Sequence, residues 1–217
     1  MRAYPNTRYK DAPDKRIPIA VIFIAFFILT EYFSYGQCNV LAGPYDAGSA
    51  ANQSLSGSSY AFTSTSNVTA SDNQFASVTA TLLLLNGTTD YITATNFNFN
   101  AAGIPAASTV CGIKVDIQKK GNVLYALGIP TGYILDNQVN IIKNNTIITS
   151  ANHAQSGSWA TTDTWYTYGS STDGWGTTWT LADVLSSGFG VAVSAKLVSV
   201  ATLYPTASID DIRITVY

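Results

Sequence analysis

The chain has 217 residues, 13 acidic against 11 basic side chains for a formal charge of −2, and only 11% charged against 47% hydrophobic residues. Sparse, scattered Lys and Arg exclude a nucleic-acid binder, which needs them clustered. The wealth of Thr, Ser, Val, Ile, Tyr and Gly over Leu-Glu-Lys helix formers leans all-β.

Residues 1–36 read as a secretory signal peptide. Arg2, Arg8, Lys10, Lys15 and Arg16 form a basic lead-in, Ile17 to Leu29 an apolar run, and Ser34-Tyr35-Gly36 a cleavage site of small residues. The run of thirteen residues falls short of the roughly 20 that cross a bilayer, so no membrane span is expected after cleavage. The remaining chain holds ten Asp, no Glu and six Lys or Arg, a formal charge of −4. It is long enough for one domain with a sizeable core. Secretion or display at the cell surface follows as the expected location.

Residues 37–58 lack periodicity and read as an irregular lead-in or an edge strand, ahead of a single β-sandwich domain over 59–217. Strands are expected at Ser59–Thr63, Gln74–Leu85 and Tyr91–Phe99, with an Asn86-Gly87 turn after the second. Val110–Lys119 alternates most clearly, with Ile113, Val115 and Ile117 inward and Lys114, Asp116 and Gln118 outward. Gly121–Tyr133 is apolar yet carries Gly and Pro where a strand would not tolerate them, so it reads as an apolar loop that covers a sheet end or exposes a sticky surface. Ile134–Lys143 and Thr146–Ser150 form a hairpin across Asn144-Asn145.

The most informative stretch is Trp165–Val193. It reads as a strand, a Gly-rich loop over Gly169–Gly176, a short helical turn near 181–187 and a strand opened by Phe189. Thr180 caps the turn with Asp183 in the reciprocal position, and Gly188 ends it. Val191–Lys196 and Ala207–Tyr217 complete the strands, with a bulge expected at Asp210-Asp211. Eight to ten strands without a long helix imply an all-β, two-sheet β-sandwich of jelly-roll type.

The series Ala70–Ala76, Asp90–Phe97, Ile104–Val115, Tyr168-Gly169, Asp173-Gly-Trp-Gly176, Trp179–Val184, Phe189-Gly-Val191 and Ser208–Tyr217 resembles a β-sandwich module of secreted Bacteroidetes-type surface proteins and of phage structural and tail-associated proteins. The resemblance covers roughly Tyr60–Tyr217 and carries over no catalytic residues. It implies a surface or assembly module, from which the chain departs at Gly121–Tyr133 and Cys38.

Asp173, Asp183, Asp210 and Asp211 are the obvious pool for a carboxylate pair, but their settings are those of a turn, a cap and a bulge. His153 is the sole histidine, so a metal centre or nucleophilic triad would hang on one residue. No cofactor is expected; Asp72-Asn73 and Asp210-Asp211 supply oxygens suited to a structural calcium. A Cys38–Cys111 disulfide is permitted outside the cytoplasm, while the phase of Cys111 with Ile113, Val115 and Ile117 favours a small core residue.

The candidate ligand-binding residues are Tyr168, Asp173, Trp175 and Trp179 on the aromatic loop with Tyr125 and Tyr133 on the apolar segment, the two meeting at one end of the sandwich. Trp175, between glycines, is the indole best placed to reach solvent, although burial is the commoner fate of large aromatics. The expected function is a non-catalytic surface module that binds carbohydrate or mediates adhesion, with a glycan or another surface protein as partner. The alternative is a structural or assembly module of an envelope, appendage or phage particle.

Overall fold

The computed structural model describes residues 38–81, 86–199 and 204–217; the expected leader and Leu82–Leu85 lie outside them. Among the described residues the strands are β1 (Ala42–Asp46), β2 (Ser49–Gln53), β3 (Ala76–Thr79), β4 (Gly87–Thr88), β5 (Tyr91–Thr95), β6 (Ile113–Gly121), β7 (Leu124–Ala126), β8 (Ile129–Lys143), β9 (Thr146–Ile148), β10 (Thr164–Gly169), β11 (Gly190–Ser199) and β12 (Thr206–Val216), with one short α-helix, α1 (Leu181–Leu185), and 3-10 turns at Thr65–Val68 and Phe99–Ala101. All pairings between these strands are antiparallel. The first sheet runs β1-β12-β6-β10 with β3 also on β12. The second runs β2-β5-β11-β8-β7 with β4 on β11 and β9 on β8.

The architecture is therefore the expected two-sheet sandwich. Val115, Ile117, Ile209, Ile212 and Ile214 line the inner face of the first sheet, and Ile92, Ile134, Val139, Ile141, Val191 and Val193 that of the second, all fully buried. Phe189, which directly precedes β11, is 1% exposed and packs against Phe99 and Trp179. Among the described residues no helix is long and apolar enough to cross a membrane.

Three local expectations change. The irregular reading of the lead-in gives way to its edge-strand alternative: β1 pairs with β12 and β2 with β5, each at the edge of its sheet, with Ser49–Thr95 and Thr93–Ala51 side-chain hydrogen bonds added to the second pair. Ser59–Thr63 makes only bridges, Tyr60 to Thr89 and Thr63 to Ser77. The Asn52 side chain takes both the N–H and the carbonyl of Phe62, occupying the groups that a ladder would use. Finally, β5 stops at Thr95, because Asn96 and Asn98 adopt φ of 60° and 56° and turn the chain.

Two bulges set the interior. One interrupts β12 between Ile209 and Asp211, so Ile209 and Ile212 both face inward across Asp210. The other lies in β8, where Ser194 pairs with Gln138 but Ala195 pairs with Asp136, leaving Asn137 as the extra residue.

Candidate functional site

The aromatic loop and the apolar segment do not meet. Strand β10 runs antiparallel to β6, placing Gly169 beside Lys114, whereas the apolar segment leaves from Gly121 at the other end of β6. The nine residues of β6 put the two loops about 27 Å apart along the strand, at opposite poles. The single binding end assigned to both loops is thus divided.

At the aromatic pole Trp175, the indole best placed to reach solvent, is instead fully buried. Its indole N–H donates to the Ile113 carbonyl (2.9 Å) and its ring stacks on His153 at 3.9 Å. Gly169, at φ +70°, permits this: a Cβ there would lie 2.4 Å from the Ile113 oxygen and 2.7 Å from the Trp175 Nε1. Asp173 closes the turn, accepting from the Trp175 backbone N–H (2.7 Å) and pairing with His153 Nε2 (2.7 Å). Trp179 is half-buried, its N–H donating to Gly174, its ring edge-on to Phe189 and Lys143 over its face.

The reciprocal cap at Thr180 and Asp183 is present, and α1 ends at Leu185. Burial pushes the Asp183 carboxyl up, but donors from Thr180, Asn144 and Lys143 outweigh it and hold the group at about 2. Gly188 serves close approach, since a Cβ there would strike the Asn145 side chain at 2.6 Å. Nearby, a disulfide joins Cys38 to Cys111 with Cα atoms 5.8 Å apart, so Cys111 is a cross-link and not simply a core residue.

At the hairpin pole Gly121–Tyr133 is not a loop. Leu124 pairs with Gly132 and Ala126 with Ile129, and Leu127-Gly128 forms a two-residue turn with φ of 50° and 80°. Pro130 is tolerated because the described pairing of β8 with β11 ends at Gly132, so at Pro130 the strand is paired on the β7 side alone. Tyr125, Leu127 and Ile129 are 60%, 102% and 64% exposed, while Tyr133 is half-buried in β8. A cleft of about 400 Å³ opens at the hairpin root, lined by Lys120, Asn122, Val123, Thr161 and Thr206 among others.

Between the poles the interior carries charge that the sequence reading did not single out. Lys119 is fully buried on the inner face of β6, and its ammonium meets Asp136 from the opposite sheet. Tyr168, the remaining candidate from the aromatic loop, is here and not at a surface: it is 2% exposed and lies between the two charges. Continuing the alternation of Ile113, Val115 and Ile117 by one step would have found Lys119. Asp136 shares the inner face with Ile134 by plain alternation, and with Val139 only because Asn137 is a bulge, so the phase read back from Val139 and Ile141 would have placed it outward.

The oxygens considered for calcium are split. Asp210 is raised by burial, with backbone N–H groups of Asn73 and Asp72 opposing and the Asp163 and Asp72 charges adding to the rise. Asp211 is pushed up to about 7 by burial and then by the carboxylate of Asp46, against the Ile212 N–H and Arg213. No three His, Cys, Asp or Glu side chains among the described residues gather as cation ligands.

No family model matches the chain, and no curated protein matches it significantly.

Proposed function

We propose that this domain is a non-catalytic surface module that attaches, through its hairpin pole, to an apolar surface of another protein, in adhesion or in assembly. One observation carries the reading: Leu127 is wholly exposed at positive φ, flanked by exposed Tyr125 and Ile129. A two-residue turn of this kind favours Asn-Gly, and a leucine held there is strained and wasted on solvent. A side chain that breaks both local rules points to selection for something beyond folding.

Two further features support the direction of attachment. The chain enters the sandwich at Cys38, tied to Cys111 beside the start of β6, so the hairpin is the far pole. The disulfide itself suits an oxidising compartment, in keeping with the expected leader. Support for sugar stacking is weaker, because the indoles are occupied. Trp159 and Trp175 are buried, Trp165 lies under the Arg213 guanidinium at 3.8 Å, and Trp179 under Lys143.

The test compares wild type with a Leu127→Ser/Ile129→Ser variant for retention on cells of the native host and for self-association by sedimentation. Equal folding with lost retention or association is the expected result. Retention unaffected by the variant, together with selective binding on a glycan array, would replace this reading with a carbohydrate-binding one.

A further inference from the structure

A buried lysine needs its charge compensated, and Lys119 is surrounded in a way that exceeds compensation. Its Nζ contacts Asp136 Oδ1 and donates to the Tyr168 hydroxyl at 2.5 Å. Rings of Trp159, Tyr166 and Tyr168 stand 4.2, 4.7 and 5.2 Å from it. Asp136 is held as firmly. Trp159 Nε1 donates to Oδ1 (2.7 Å), while the Tyr168 hydroxyl (2.8 Å) and the Gln155 backbone N–H (3.0 Å) donate to Oδ2. The Tyr168 hydroxyl is therefore a bridge: it accepts from the amine and donates to the carboxyl oxygen that the amine does not touch.

We propose that Lys119 and Asp136 condense to a side-chain amide, a covalent cross-link between β6 of one sheet and β8 of the other. One proton passes from Nζ through the Tyr168 hydroxyl to Oδ2, converting the ion pair to amine and carboxylic acid. The Nζ lone pair then forms a bond to Cγ, and the carbonyl electron pair moves onto Oδ1, where the Trp159 N–H receives it. A second proton follows the same path, Oδ2 leaves as water, and the pair on Oδ1 restores the carbonyl. Ammonium and carboxylate become one amide and one water, with no change of oxidation state.

Three features favour the step. Burial lowers the Lys119 ammonium to about 8, against the opposing pull of Asp136, easing its conversion to a nucleophilic amine. Burial raises the Tyr168 phenol, so it stays protonated as a relay. Holding the two groups in contact supplies an effective concentration that reaches about 10⁵–10⁸ M in well-oriented systems, enough to drive a condensation that free amines and acids do not undergo in water. The departing water has a way out, since Oδ2 is the oxygen facing exposed Gln155.

The test is peptide mass spectrometry on the folded full chain after digestion. The expected result is one branched species joining the peptide with Lys119 to that with Asp136, lighter than their sum by one water. Recovery of the two as separate, unmodified peptides from wild type overturns the proposal and leaves an ion pair; this readout depends on no variant folding. Lys119→Arg keeps a cation that cannot condense, and should give separate peptides. Tyr168→Phe keeps the ring and removes the relay, so the branched species should be lost or slow to form; branching as complete and as fast as in wild type would overturn the assigned proton path.

Discussion

The two poles of the sandwich end in opposite states, and in the reverse of what their sequences suggest: Gly169–Gly176 is mostly Gly, Ser and Thr, whereas Gly121–Tyr133 is mostly apolar. At the aromatic pole the chain folds back over the start of β6, and Trp175 and Phe189 are both buried. At the hairpin pole the chain reverses in two residues and pairs only with itself, leaving Tyr125, Leu127 and Ile129 in water. Hydrophobicity therefore does not decide burial here; the availability of a second layer does. Gly169 at φ +70° lets a loop lie against a strand end, whereas Gly128 at φ +80° only closes a turn.

The sharpest way to break this comparison is to truncate the indole that fills the aromatic pole. Trp175→Ala should cost about 5 kcal/mol, the upper part of the range for buried aromatics, since the Ile113 carbonyl loses its donor as well. Chemical denaturation gives the figure; a midpoint equal to wild type would show that the loop does not depend on its plug. Slightly smaller is the loss expected for Cys38→Ser with Cys111→Ser. Opening a link across a sequence separation of 73 residues costs about 4 kcal/mol by loop-closure entropy. Hydrogen exchange should then rise around β1 and the start of β6 and stay unchanged at the hairpin. Equal loosening of both poles would contradict their independence.

These two sites also mark what the sequence could convey. The strands with strict alternation, β6 and the start of β11, were legible because period-two burial is a local property. So was the Thr180–Asp183 cap, whose partners are three residues apart. The position of Trp175 was not, since flanking glycines describe backbone freedom and not what the freed backbone covers. Nor was the disulfide, because sequence supplies no distance across 73 residues. The separation of the poles follows from β10 running antiparallel to β6, a long-range pairing that neither segment encodes alone.

A residue belonging to neither pole supplies a control. The Asp211 carboxyl, at the β12 bulge, is raised from 3.8 to about 7 by burial and by Asp46. Between those values the native state keeps a proton that the unfolded chain has released, so this group's contribution is greatest at and below about pH 4, falls as pH rises to about 7 and is level above. Asp211→Asn should remove that slope and gain about 2 kcal/mol at pH 8, allowing for solvent screening of a partly exposed pair. A pH–stability curve with the same slope in both proteins would mean that Asp211 is ionised throughout. The gain should be the same whether the hairpin or the aromatic loop is intact.

The smallest effect on stability is expected where the consequence for function is greatest. Leu127 contacts solvent on all sides and holds φ at 50°, so replacing it removes no packing and relieves strain. Leu127→Asn creates the Asn-Gly pair that such turns prefer, and should stabilise the protein by about 0.5–1 kcal/mol, the scale of strain at a non-glycine residue in this region. The same change deletes the most exposed apolar side chain of the far pole, so attachment to the native cell surface, or self-association, should fall. More stable and less adhesive is a combination that a purely structural leucine would not produce, because a residue kept for folding cannot be improved upon by removing it. A variant that is destabilised, or that attaches as well as wild type, would show that Leu127 serves the fold after all and that the attachment surface lies elsewhere.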